Sequence, residues 1–343
     1  MVVEPTFEEI ISKQIKNFGK ETKESFLRVY DEDNKKTEPV WISGWKMFDE
    51  SILSLKSGWG IVGAVENAGK SNFNNCLFMA ILDHTKNSRV IQCIYDDTQE
   101  TAIHQLAAAR GKVPMDDISS PFLLDEDDPK RAQRARAYKE LVEQYGDRLE
   151  IIDGASWGDR GSYLNYLEEY LTKVREAFPN DKLWINIDAI DDILVPDCKD
   201  DNEALKKISR RLKALSNKLG ATSPCFILGI KHFNKGNRGR GSSMEAFKGV
   251  SGQGYDCKLA LILYSEMGEL GNQAQIYFNP DPLDYTKRNP VVELTFKKNK
   301  VGKNKGNTMF FLQWPECYLC VPCTDKQQKA YSDLVSDSYG LKK

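Results

Sequence analysis

One run of nine residues has the spacing to bind a triphosphate: Gly63-Ala-Val-Glu66-Asn67-Ala68-Gly69-Lys70-Ser71. A loop ending in Gly-Lys-Ser can wrap successive backbone N–H groups around an anion. A helix opening at its end adds the positive end of the helix dipole. The Lys70 ammonium can reach the β- and γ-phosphates of ATP, and the Ser71 hydroxyl can ligate Mg²⁺. The first glycine of the usual pattern is replaced by Ala64, with Gly63 one residue earlier. Gly63, Glu66, Asn67, Ala68, Gly69, Lys70, Ser71 and Asn72 are the candidate nucleotide-binding residues.

Such a loop needs a metal-organising carboxylate on a neighbouring strand. Leu183-Trp-Ile-Asn-Ile-Asp188 is an apolar run ending in an acid, so Asp188 is the second candidate Mg²⁺ holder beside Ser71. Asp191 and Asp192 follow closely and read as capping or solvated acids. Hydrolysis also needs a general base. The run Arg89–Tyr95 ends in Asp96-Asp97, where a carboxylate can polarise the attacking water. Asp96 is the first candidate and Asp97 the other, with a simple turn as the alternative use of both.

These groups need a scaffold of strands ending beside a loop. The chain has 343 residues, 41% hydrophobic and 29% charged, enough for a large core. No apolar run approaches the roughly 20 residues of a membrane helix, and the acidic start MVVEPTFEEII is not a signal peptide. Short apolar runs at 60–65, 89–95, 149–153, 182–188, 225–230, 259–264, 291–296 and 309–314 read as strands. Helical patterns lie between the earlier ones, at about 70–84, 99–110, 129–145, 161–177 and 202–219. Alternation early and consecutive strands late predict an α/β fold, a mostly parallel sheet with antiparallel C-terminal strands. Residues 7–30 read as one charged helix with Phe7, Ile10, Ile11, Ile15, Phe18 and Phe26 on it, broken by the polar run 31–36. The expected organisation is a linker helix and connector over 1–39, an ATPase domain over 40–323 and a polar tail over 324–343.

Five of the eight cysteines stand isolated, several in apolar runs, as expected of reduced buried thiols in a cytoplasmic protein. Cys317, Cys320 and Cys323 have metal-like spacing but lack a nearby fourth ligand. The alternating run around them reads as a terminal hairpin instead.

Taken in order, these segments resemble the hexameric replicative helicases of the DnaB type and of the phage primase-helicases, within the RecA-like ATPases. The resemblance runs from about residue 40 to 315. VWISGWKMFDESILSLKSGWGIVGAV is similar to the family's lead-in to its phosphate loop. YDDTQETAIHQLAAA resembles the motif carrying the catalytic base, usually Glu and here Asp. CFILGIKHFNK resembles the strand ending in a polar γ-phosphate sensor, which makes His232 that candidate. VVELTFKKNKVGKNKG resembles the strand that delivers Lys-x-Arg into a neighbouring subunit's nucleotide. Here it holds Lys298-Asn-Lys300, so lysine replaces the arginine finger, as in RecA recombinases. The resemblance implies Asp96, Lys70, His232, Lys298 and Lys300 as catalytic residues. It also implies a homo-oligomer, typically a hexamer, and a first helix that packs on the next copy.

Lys+Arg 48 against Asp+Glu 50 gives a net charge of −2, which excludes a wholly basic nucleic-acid binder. The charge is uneven, however: acids are absent from 231–240 and 297–305. Lys231–Arg240 is a glycine-containing basic run at the point where the family's channel loops grip single-stranded DNA. Lys235, Arg238, Arg240 and Lys248 are the DNA-binding candidates. The expected function is a ring-forming, ATP-dependent DNA helicase in the cytoplasm, or a host's cytoplasm, with primase, polymerase or loader proteins as candidate partners. A RecA-like recombinase forming filaments, or a non-enzymatic ATP-binding clamp, are the alternatives.

Overall fold

The computed structural model describes residues 6–17, 19–34, 38–154, 163–233, 247, 256–302 and 305–339. The chain divides into two compact units, Met1–Pro39 and Val40–Lys343. In the first, α1 (Phe7–Lys16) and α2 (Lys20–Asn34) replace the single helix expected over 7–30. They part at Gly19, whose φ of +78° suits glycine and ends the first helix. α2 also runs through residues 31–34, where a break was expected. The Thr6 side chain accepts the Glu9 N–H and the Glu9 carboxylate accepts the Thr6 N–H, a reciprocal cap that starts α1. Phe7, Ile11 and Ile15 of α1 and Phe26 of α2 are exposed.

The second unit is built on a ten-stranded mixed sheet: β1 (Gly58–Ala64), β2 (Ser88–Ile94), β3 (Leu149–Asp153), β4 (Lys182–Asp188), β5 (Cys225–His232), β6 (Leu259–Ser265), β7 (Tyr277–Phe278), β8 (Asn289–Asn299), β9 (Thr308–Trp314) and β10 (Leu319–Pro322). The spatial order is β10-β9-β8-β6-β1-β5-β4-β2-β3, with β7 on β8. The pairs from β6 across to β3 are parallel, and those from β6 out to β10 are antiparallel. Parallel neighbours require crossovers, and helices supply them. After α3 (Lys46–Ser51) come α4 (Lys70–His84), α5 (Gln99–Gly111), α6 (Met115–Ser119), α7 (Pro129–Tyr145), α8 (Leu164–Ala177) and α9 (Asp201–Leu219). Every residue of β1 and β6 is buried. Strands covered on both faces read as continuous apolar runs, which is why they were legible.

Two aromatic groups fix the scaffold of the site. Trp184 of β4 packs between Trp41 and Phe226, with ring centroids 5.2 and 4.9 Å away. Phe73, one turn into α4, meets Trp45 and Phe311 at 5.9 and 5.3 Å, tying the start of that helix to the lead-in and to β9. β9 and β10 form the expected terminal hairpin. Its Cys320 N–H donates to the Cys76 Sγ at 3.2 Å, and burial pushes the Cys76 thiol up to about 12. The segment after it is a helix, Asp325–Tyr339, whose Gln328 side chain bonds both the N–H and the carbonyl of Phe310. No described helix is long and apolar enough to cross a membrane.

Candidate nucleotide and metal site

β1 runs into the phosphate loop, and α4 opens at Lys70 as the sequence indicated. Gly69 precedes it with φ +83°, and a Cβ there would lie 2.3 Å from Gln313 of β9. The positive φ favours glycine, and any side chain there would also have to displace the end of the Gln313 side chain. Asn67 also adopts a positive φ, +60°, and is exposed, as is Glu66. Ala68, Lys70 and Asn72 are buried, and Ser71 is half-buried at the mouth of the helix. Gly63 lies inside β1. The space a Cβ would need is filled by the ring of Phe233, 2.1 Å away, so its smallness serves packing.

The Lys70 ammonium donates to the carbonyl of Val65 at 2.8 Å, curled back over the loop. Burial holds its pKa below the usual lysine value, opposed chiefly by Asp188. Asp188 ends β4 as expected and is 8% exposed. Burial, and next the charge of Asp96, push its carboxyl up to about 7. Asp96, Asp188 and His232 each present a ligand atom within 4.8 Å of the others. The His232 Nε2 is 3.9 Å from the Asp96 Oδ2. Burial, and next Lys70, lower the imidazole pKa, which favours the neutral ring at pH 7. Four chain segments distant in sequence thus meet at the carboxyl ends of β1, β2, β4 and β5, where open α/β sheets place their ligands.

Asp96 and Asp97, alternatives for the base in the sequence, have different surroundings. Asp97 is engaged locally: its Oδ1 accepts the Thr98 N–H at 2.8 Å and its Oδ2 accepts the Gln105 amide at 3.3 Å. Gln105 continues to Asn75, and Asn75 to Gln92, through buried side-chain amides. Asp97 is therefore built into the α5–α4–β2 packing, and Asp96 faces Asp188 and His232.

Asp191 corrects the expectation of a capping or solvated acid. Its Oδ1 pairs with the Lys231 ammonium at 2.5 Å and its Oδ2 accepts the His232 N–H at 2.9 Å. Only proximity in the fold reveals this, because β4 and β5 are joined by a long crossover through α9. Asp192 is raised by burial and by Asp96.

Lys298 and Lys300 do not join this site within one chain. The Lys300 N–H donates to the Lys258 carbonyl and the Lys258 N–H to the Trp59 carbonyl, at 3.0 and 2.8 Å. That places Lys300 level with the start of β1, roughly 16 Å below the loop at about 3.3 Å per residue. Lys298 lies opposite Ala260. Lys235, Arg238, Arg240 and Lys248 lie outside the described residues.

On the other flank of the loop, beside Asn67, a cavity of about 670 Å³ is lined by Pro280, Arg288, Pro290 and Trp314. The Arg288 guanidinium stacks 3.6 Å over the Tyr277 ring. Sequence reasoning missed this wall, because its residues are spread along the antiparallel strands without a motif.

No protein-family model and no curated protein matches the chain in sequence. Solved structures do match it in shape. The chain is similar to a separately solved ATPase domain, with a TM-score of 0.72 at 15% identity over 88% of this chain and 98% of that one. It is also similar to a DnaB-like replicative helicase described with its interactions with primase. There the TM-score is 0.69 at 16% identity, over 87% of this chain and 66% of that one. At these identities the likeness shows the fold alone: a mixed α/β architecture, its sheet mostly parallel with antiparallel C-terminal strands, shared with those two solved structures.

Proposed function

We propose that this protein is an ATP-hydrolysing DNA helicase that assembles into a ring and moves along single-stranded DNA. The observation that carries the reading is the meeting of Lys70, Asp96, Asp188 and His232 around a phosphate loop, in a fold shared with a DnaB-like helicase. The loop N–H groups and Lys70 bind the triphosphate. The cavity beside Asn67 takes the base, between Trp314 and the Arg288 side. Asp96 accepts the proton of the water that attacks the γ-phosphorus. The neutral His232, with one ring N–H to donate, is the sensor of the γ-phosphate.

The donor set fits Mg²⁺. Asp188 is crowded by Asp96 and Asp192, and a cation relieves that repulsion. Ser71 and Asp188 would hold it, and when bound it supplies positive charge against the phosphate oxygens.

Lys298 and Lys300 act on a neighbouring copy's nucleotide, a reading supported by their distance from their own loop. The exposed apolar face of α1 gives the copies a contact. Lys235, Arg238, Arg240 and Lys248 grip DNA phosphates in the ring's channel, which gives salt-dependent, sequence-independent binding. A primase, as for the DnaB-like neighbour, a polymerase or a loader is the protein partner, and the cytoplasm of a cell or host the setting.

The test is ATP turnover with and without single-stranded DNA. Stimulated turnover that vanishes in Lys70→Ala is expected. A wild-type chain that binds ATP without turning it over is instead a non-enzymatic clamp. One observation favours a second reading: the Lys-x-Lys pair suits a recombinase. Micrographs with DNA and a slow ATP analogue separate them, since closed rings support the helicase and continuous filaments the recombinase.

A further inference from the structure

The end of β5 is held by a side chain of the short 3-10 turn Ile190–Asp192 that follows β4, and this contact concerns the candidate sensor directly. The β4–β5 ladder stops at Ile187↔Gly229, whereas the β1–β5 ladder continues to Ala64↔His232. The Phe233 N–H donates to the Ala64 carbonyl at 2.9 Å, toward β1. Alternation along a strand then turns the His232 N–H toward the β4 side, beyond the end of that ladder. There the Asp191 carboxylate takes the place of the missing strand carbonyl, at 2.9 Å. Its other oxygen pairs with Lys231, which is buried at 8% exposure and needs a compensating charge.

We infer that Asp191 is a positioning residue: it locks the last two residues of β5 so that the His232 imidazole faces Asp96, and thereby links the γ-phosphate site to the basic run Lys231–Arg240, of which those two residues are the start. The inference rests on the helicase reading above. Three consecutive residues are tied between them to Asp191, to Asp96 and to the end of β1. Lys231 and the His232 backbone go to Asp191, the His232 ring goes to Asp96, and Phe233 goes to Ala64 and into the space beside Gly63. The chain then continues through the basic run. Charge-assisted hydrogen bonds are stronger and shorter than neutral ones. One carboxylate holding both groups therefore makes the junction stiff.

The experiment uses the full chain in three forms, wild type, Asp191→Ala and Asp191→Asn. Turnover is measured against ATP concentration, with and without a single-stranded oligonucleotide. Asp191→Ala removes both contacts. It is expected to lower the DNA-stimulated kcat on the order of tenfold to a hundredfold while KM for ATP changes less than about threefold. Asp191→Asn keeps an acceptor for the His232 N–H and is expected to recover part of the stimulation. Binding of a fluorescent ATP analogue by Asp191→Ala shows that the fold persists. Stimulation preserved in Asp191→Ala, or KM rising in step with the fall in kcat, overturns the inference. Absence of stimulation in the wild type contradicts the helicase reading itself, and this inference falls with it.

Discussion

Replacing Asp96 and Asp97 by asparagine, one at a time, separates two adjacent carboxylates that the sequence does not distinguish. Asp97 spends both oxygens on Thr98 and Gln105. Its asparagine keeps one acceptor for the Thr98 N–H and loses the bond from the Gln105 amide. The expected cost is about 1–2 kcal/mol of stability, with turnover falling less than roughly tenfold. Asp96 is exposed and approaches His232 at 3.9 Å, a contact worth at most about 1 kcal/mol to the fold. As the proton acceptor, however, it is expected to support on the order of 10²–10⁴ in rate. Its charge also raises Asp188, so Asp96→Asn lowers the Asp188 pKa and leaves the melting temperature unchanged or slightly higher. The two variants should thus move in opposite senses: Asp96→Asn stable and inactive, Asp97→Asn active and less stable. Steady-state turnover at saturating ATP and Mg²⁺, beside a thermal melt, reads both. Greater loss of turnover in Asp97→Asn, or equal loss in the two, refutes the assignment.

Without Mg²⁺, stability should fall as pH rises from about 4 to 7, because the folded Asp188 keeps a proton, with a pKa of about 7, that the unfolded chain releases near 3.8. The stabilisation is full below 3.8, lost above 7, and at most about 4 kcal/mol. Melts at pH 6 and 8 in chelator check it, and an equal slope in Asp188→Asn would contradict it. Gly63→Ala sets a methyl 2.1 Å from Phe233 and should cost about 1–3 kcal/mol, read by a denaturant melt; wild-type stability would mean the ring has room. Mixing inactive Lys300→Ala copies with inactive Lys70→Ala copies should restore part of the turnover, as expected if Lys300 serves a neighbour's site. No recovery at any mixing ratio contradicts a shared site.

Much of this was legible because parallel strands buried on both faces announce themselves as apolar runs, and because the phosphate loop is local in sequence. Asp188 could be placed for the same reason, at the end of an apolar run. What the sequence withheld is non-local. Asp191 looks like any acid of a turn until β5 is seen beside it. Asp97 looks equivalent to Asp96 until Gln105 comes round on α5. The break at Gly19 was hidden because the apolar spacing continues across it, while backbone conformation decides where the helix stops. The wall of Arg288 and Trp314 exists only once β8 and β9 lie side by side.

Strand displacement on a forked duplex with ATP and Mg²⁺ tests the central claim most directly. Opening of the fork by the wild-type chain, and none by Lys70→Ala, is the predicted result. ATP hydrolysis that never opens the fork, under any loading condition, contradicts it.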